Sequence, residues 1–169
     1  MMTRQEEGFH LECKVLECGE RKLIGIEIVC PFQEMETEIP KAWLAMKNRI
    51  RELNGLVNDG ILYGMYPQES DNPDPGQCYY YICAEVHAEQ PVPEGMVRID
   101  IPPQKYVSCV YRGPIKQFYT AYAKVNAFIA SEGYVHNRKA YVLELKGPRT
   151  NVLDKETQEN ELELRIPIE

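Results

Sequence analysis

The sequence predicts an α+β protein. Two β-α-β-β halves build one antiparallel sheet, with both helices on one face and a cleft between the halves. Three observations predict it. The order strand–helix–strand–strand occurs twice along the 169 residues. Each half holds one amphipathic segment bounded by Pro and Gly. Neither half can bury its apolar faces alone, so the two must share a core.

The elements follow in order. Residues 1–9 read as a flexible tail. Residues 11–18 form a short strand, and Gly19-Glu20-Arg21 a turn. Residues 22–30 alternate, with Ile24, Ile26, Ile28 and Cys30 on one face. Residues 40–54 read as a helix, with Pro40 in its first turn and Gly55 just past its end. Ile39, Trp43, Met46, Ile50 and Leu53 make its apolar stripe. Strands follow at 61–66 and 77–87, separated by a loop, Pro67–Gly76, rich in Pro, Asp, Asn and Ser.

After the turn Pro91–Gly95, residues 97–101 alternate and Pro102-Pro103 breaks the segment. A strand at 105–112 leads to a second helix, from Gly113-Pro114 to about Ser131, with Gly133 after it. Its stripe is Ile115, Phe118, Tyr119, Tyr122, Val125 and Phe128/Ile129. Strands at 139–146 and 161–168 flank a polar loop. Overlaying 24–31 on 107–114 puts Ile24, Ile26, Ile28 and Pro31 on Val107, Cys109, Tyr111 and Pro114. Residues 10–169 are therefore expected to form one domain of two pseudo-repeats, about 10–90 and 96–169.

Composition narrows the function. With 19 Lys+Arg against 26 Asp+Glu the formal charge is -7, and there is no basic run. Direct nucleic-acid binding is not expected, because phosphate contacts need clustered cations. No apolar run approaches the roughly 20 residues that cross a bilayer, and the polar N-terminus lacks a signal-peptide core. A cytoplasmic protein is expected. The six cysteines form no CxxC pair and the three histidines are far apart, so no metal site and no cofactor are predicted. The thiols read as small apolar strand residues. Neither a GxSxG elbow nor a phosphate-binding glycine loop occurs.

Several stretches together resemble the GyrI-like small-molecule-binding family, the bacterial AraC-type effector-binding or multidrug-sensor domain. They are Ile39-Pro40-x-x-Trp43, Tyr63-Gly64-Met65-Tyr66, Tyr80–Val86, Val92-Pro93-Glu94-Gly95-Met96 and Ile101–Tyr106. Tyr111-Arg112-Gly113-Pro114, Ala140–Glu144 and Leu162–Ile168 complete the set. The resemblance covers about residues 10–168. It implies a duplicated β-α-β-β fold, a cleft between halves, and a cleft-facing glutamate on the penultimate strand, here Glu144. It implies ligands that are lipophilic cations, and a link to transcription regulation. Two departures stand out. Cys83 stands where such domains often carry Gly, and residues 1–10 leave no room for a helix-turn-helix ahead of the domain. A stand-alone effector module is therefore expected.

The residues themselves leave alternatives open. Glu144 shares a strand face with Ala140 and Val142 inside an apolar run. An inward carboxylate must be protonated, internally paired or met by a cationic ligand; on an edge strand it would simply be solvated. Tyrosine supplies 11 of the 16 aromatics by count with Trp43 and the four phenylalanines. Tyrosine combines a π face with a polar tip, and a cation over such a face gains roughly 0.5–2 kcal/mol. Trp43, Tyr63, Tyr80, Tyr111 and Tyr122 are the candidate walls of a cleft around Glu144, with ordinary core packing as the alternative for each. If the resemblance extends to its hydrolytic branch, which acts on small electrophiles, Glu144 and Tyr111 would be the catalytic pair. Its gyrase-inhibitor part implies instead a module that binds a protein partner. An aromatic cationic small molecule is the first expectation.

Overall fold

The computed structural model describes residues 12–69 and 76–169. The predicted tail and the centre of the Pro67–Gly76 loop lie outside the described residues. Among the described residues, eight strands form one antiparallel sheet. In chain order they are β1 (Cys13–Cys18), β2 (Arg21–Cys30), β3 (Leu62–Pro67), β4 (Cys78–Val86), β5 (Val97–Ile101), β6 (Gln104–Arg112), β7 (Tyr141–Lys146) and β8 (Glu161–Ile168). The helices are α1 (Met35–Arg49) and α2 (Tyr119–Ser131). The sheet order is β1-β6-β8-β7-β3-β4-β2-β5. Around the central β7–β3 pair, β6-β8-β7 and β3-β4-β2 are mirror sequences of equivalent strands, so the duplicated β-α-β-β order holds in space.

Both helices pack on one face. Ala42, Trp43 and Met46 of α1 bury against Ile24, Ile28, Tyr80, Ile82 and Ala84. Phe118, Ala121, Val125 and Ile129 bury against Val107, Cys109, Leu164 and Ile166. The period-2 alternation of β2, β6 and β8 and the 3.6-residue period of the helices place these side chains. Tyr66 and Ile115 touch both cores, at the seam. Tyr119, expected on the stripe, is 69% exposed. Its position lies one residue after Phe118, which takes the buried site. Gly133 ends α2 with φ at 74°, a left-handed position that favours glycine.

Helix α1 starts earlier than expected, at Met35, so Pro40 lies inside it. Pro40 has no N–H for the carbonyl of Glu36, one turn back. The Lys155 ammonium lies 3.4 Å from that carbonyl and 3.4 Å from the Glu36 carboxylate. Glu36 and Glu38 near the positive end of the helix dipole favour the early start. A single 3-10 turn, Ile50–Glu52, continues the chain beyond α1.

The leading strands exchange halves. β1 precedes β2 in the chain but pairs with β6, and β5 precedes β6 but pairs with β2. The register is continuous across the exchange. Cys18 lies opposite Gln104 and Arg21 opposite Ile101, with only Gly19-Glu20 and Pro102-Pro103 between. In a flat sheet β1 and β2 would lie six strand spacings apart, about 29 Å. Three residue steps span at most about 11 Å. The sheet must therefore curl until its two edges meet at one corner.

The curl makes the helix-free face concave and gives it a core of its own, with Leu23, Met65, Cys83, Tyr106 and Leu143 buried. Arg21 sits at the corner. Its guanidinium carbon is 5.8 Å from the Tyr63 ring and 5.5 Å from the Tyr106 ring, residues of strands well separated in the sheet order. All six cysteines are free thiols.

Candidate functional site

The seam between β3 and β7 holds a connected polar cluster under the two helices. Glu144 lies opposite Gly64 across this strand pair. Alternation puts Val142, Glu144 and Lys146 on the helix face of β7, and Leu62, Gly64 and Tyr66 on that of β3. One oxygen of the half-buried Glu144 carboxylate accepts the Tyr80 hydroxyl at 2.5 Å. The other accepts the Tyr122 hydroxyl, also at 2.5 Å. Tyr66 donates to the Tyr122 hydroxyl at 3.0 Å, and its ring stacks on that of Tyr80 at 6.2 Å.

A lysine completes the chain of bonds. The Lys146 ammonium donates to the Tyr80 hydroxyl at 2.7 Å and lies 5.0 Å from the centre of its ring. Tyr80 thus accepts from a cation and donates to a carboxylate, bridging Lys146 and Glu144. The absence of a side chain at Gly64 makes the room. A Cβ there would fall on the Tyr80 hydroxyl and the Lys146 Nζ.

Burial shapes the proton affinities. It is the largest cause raising Tyr80 and Tyr122 well above the ordinary tyrosine value, and the Glu144 charge raises both further. Burial also pushes Tyr66 up to about 12, despite the lowering effect of its bond to Tyr122. Burial lowers Lys146, and the nearby Glu144 opposes that shift. The tyrosines are therefore fixed as neutral donors across the ordinary pH range.

Beside this cluster lies a pocket of about 320 Å³. Trp43 of α1, Leu62 of β3, Ala84 of β4 and Lys146 of β7 are among its lining residues. Lys47 lines it too, with its ammonium 4.4 Å from the centre of the Trp43 ring. Trp43 is buried to 6% exposure. The size lies at the lower end of the range for small-molecule sites.

The structure brings four of the six candidates to the helix side of the seam region. Tyr80 and Tyr122 bond Glu144 directly, and Trp43 walls the adjoining pocket. Tyr63 and Tyr111 lie elsewhere. Tyr63 faces the concave side and donates to Glu85 at 3.0 Å. Tyr111 packs under Phe118 at 5.4 Å and donates to the Pro114 carbonyl at 2.7 Å. Three contributors escaped the sequence reading: Gly64, Tyr66 and Lys146. Strand alternation offered a signal for two of them, since Lys146 falls two residues after Glu144 and Tyr66 two after Gly64.

The model of the GyrI-like small molecule binding domain matches residues 11–169. The chain belongs to the GyrI-like family. Transcriptional regulator BrlR of Pseudomonas aeruginosa is 29% identical over 94 residues, which are 56% of this chain and 33% of that regulator. The matched part is thus only a third of the relative's length. Among solved structures, EcmrR in its complex with DNA superposes with a TM-score of 0.71 at 14% identity, over 98% of this chain and 60% of that one. SAV2435 bound to tetraphenylphosphonium gives 0.68 at 16% identity, over 94% of both chains. These likenesses show the fold. This GyrI-like domain is related to the effector domains of transcription regulators. No helix among its described residues is long and apolar enough to cross a membrane.

Proposed function

We propose that this GyrI-like domain is a ligand-sensing or sequestering module that binds a small, aromatic, largely apolar molecule. The ligand enters the Trp43-walled pocket and meets the Lys146–Tyr80–Glu144 cluster at its inner end. The observation that carries this reading is that adjacency: an apolar pocket of about 320 Å³ touching a buried, hydrogen-bonded polar group. Apolar walls supply affinity, and a few fixed polar atoms supply orientation. Two or three aromatic faces and one charge contact, less the entropy of binding, amount to about -8 kcal/mol, a micromolar site.

A lipophilic cation held by Glu144 is the ligand class that the family resemblance favours. SAV2435, with the same fold, is bound to tetraphenylphosphonium. Here both Glu144 oxygens already hold tyrosine hydroxyls, and Lys146 stands behind one of them. The general reading, small-molecule binding at this seam, does not depend on the sign of the ligand's charge.

The single tryptophan makes the test simple. Lipophilic aromatic compounds are titrated into the protein while Trp43 emission is followed. Saturable changes at micromolar concentration are expected, and they should weaken at least tenfold in Trp43→Leu when binding is read by calorimetry. Absence of saturable binding across cationic, neutral and anionic compounds would overturn the reading.

A further inference from the structure

Lys146 is the feature of this seam that the cation reading does not use. We propose that the pocket takes a small aromatic acid, its carboxylate paired with the Lys146 ammonium, and not a lipophilic cation. The inference rests on the small-molecule reading above and names the ligand class for that site.

Lys146 is 95% removed from solvent, with 5% exposure. A buried ammonium is costly unless its three N–H groups find acceptors and its charge finds a partner. Among the described residues one acceptor is seen, the Tyr80 hydroxyl at 2.7 Å. The balancing charge, Glu144, lies on the far side of that hydroxyl, bonded to it at 2.5 Å. Glu144 does not line the pocket, whereas Lys146 does.

A molecule in the pocket therefore meets the cation first and the carboxylate only through an intervening phenol. In such a low-dielectric place the nearer charge dominates. Lys47, over the face of Trp43, adds a second positive group to the lining. Asp59 also lines the pocket; it and Lys47 are both exposed and screened by water, so the buried Lys146 sets the sign of the lining. A ligand cation would have to approach Lys146 or displace it from Tyr80. A ligand carboxylate would supply the missing acceptors while its aromatic body filled the space between Trp43, Leu62 and Ala84. Gly64 is part of this design, since any side chain there would push Lys146 from its place.

The test uses three compounds of one shape: biphenyl-4-carboxylate, biphenyl-4-ylmethanol and biphenyl-4-ylmethylammonium, with tetraphenylphosphonium as a fourth. Each is titrated against the wild-type protein at pH 7 by Trp43 fluorescence and by calorimetry. The carboxylate is expected to bind at least tenfold more tightly than the ammonium. Lys146→Met should lose that preference, and Lys146→Arg should keep it. Equal or tighter binding of the ammonium or of tetraphenylphosphonium by wild type would overturn the acid class while leaving small-molecule binding in place. Binding of none of the four would overturn both. A carboxylate preference that survives in folded Lys146→Met would overturn the assignment to Lys146. The wild-type ranking decides the ligand class even if a variant fails to fold.

Discussion

Gly64→Ala is the smallest change that reaches the whole cluster. The added methyl carbon meets the Tyr80 hydroxyl and the Lys146 Nζ, and lies 2.9 Å from the Tyr80 ring carbon that bears the hydroxyl. That ring carbon cannot swing aside freely, because the ring stacks on Tyr66 and is buried among α1 residues. Overpacking of this kind costs roughly 1–3 kcal/mol. Moving Tyr80 also breaks its bonds to Glu144 and Lys146, and bonds to charged groups contribute about 1.5–3 kcal/mol each. The two costs overlap, since displacing the ring relieves the clash. A net loss of ~3 kcal/mol is expected, a fall in Tm of about 6–12 °C for a chain of this length. Differential scanning calorimetry and urea melts measure it. Gly19→Ala is the control, because a Cβ there meets nothing within 4 Å. A Gly64→Ala protein melting within 2 °C of wild type would refute the packing argument.

Other outcomes follow from the same geometry. Tyr122→Phe should weaken binding of the preferred ligand several-fold by freeing one Glu144 oxygen, whereas Tyr111→Phe should leave it unchanged, since that hydroxyl bonds the Pro114 carbonyl; calorimetric titration compares them. Tyr66, Tyr80 and Tyr122 have folded pKa values raised above the unfolded value near 10. Their contribution to stability is complete below pH 10 and is lost as the pH rises through the folded values, about 12 for Tyr66. Absorbance at 295 nm should show them ionising only as the fold gives way, and early ionisation of all tyrosines near pH 10 would contradict this. Arg21→Met should change stability by less than ~1 kcal/mol, because the lost cation–π contacts are offset by relief of two buried, unbonded guanidinium nitrogens. Arg21→Ala should cost more, by the cavity it leaves, and equal melting points for the two would count against that account.

Much of the fold was legible because two periodicities do most of the placing. Ile24, Ile26 and Ile28 alternate in β2, and Trp43 and Met46 recur along α1; all bury as expected except Ile26, which is half-buried. The repeat followed from the order of such elements, although the two halves share little sequence. The concave core was not legible. Tyr63, Cys83 and Leu143 sit on strand faces that look as apolar as the helix-facing ones, and only the exchange of β1 and β5 explains their burial. Pairing partners are set by tertiary contacts that no local pattern carries. At the site, alternation could assign Glu144, but it could not tell which face of β3 met the helices. Tyr63 was the sequence candidate on β3, but Gly64 stands opposite Glu144, which puts Tyr66 and not Tyr63 on the helix face. Helix α1 began earlier than its proline suggested because a lysine distant in sequence satisfies the carbonyl that Pro40 leaves free.

The continuous register across Gly19-Glu20 and Pro102-Pro103 has a mechanical side. It ties the two outer edges of the sheet together, like a drawstring on the side away from the helices. The seam at β3 and β7, where the pocket and the Glu144 cluster lie, can widen only if that strap bends at its four linking residues. Two of those are prolines, whose fixed φ resists bending. A guest at the seam would therefore strain the opposite corner, two to three strands away on either side in the sheet order, and any reshaping of the cleft would be felt by both halves at once.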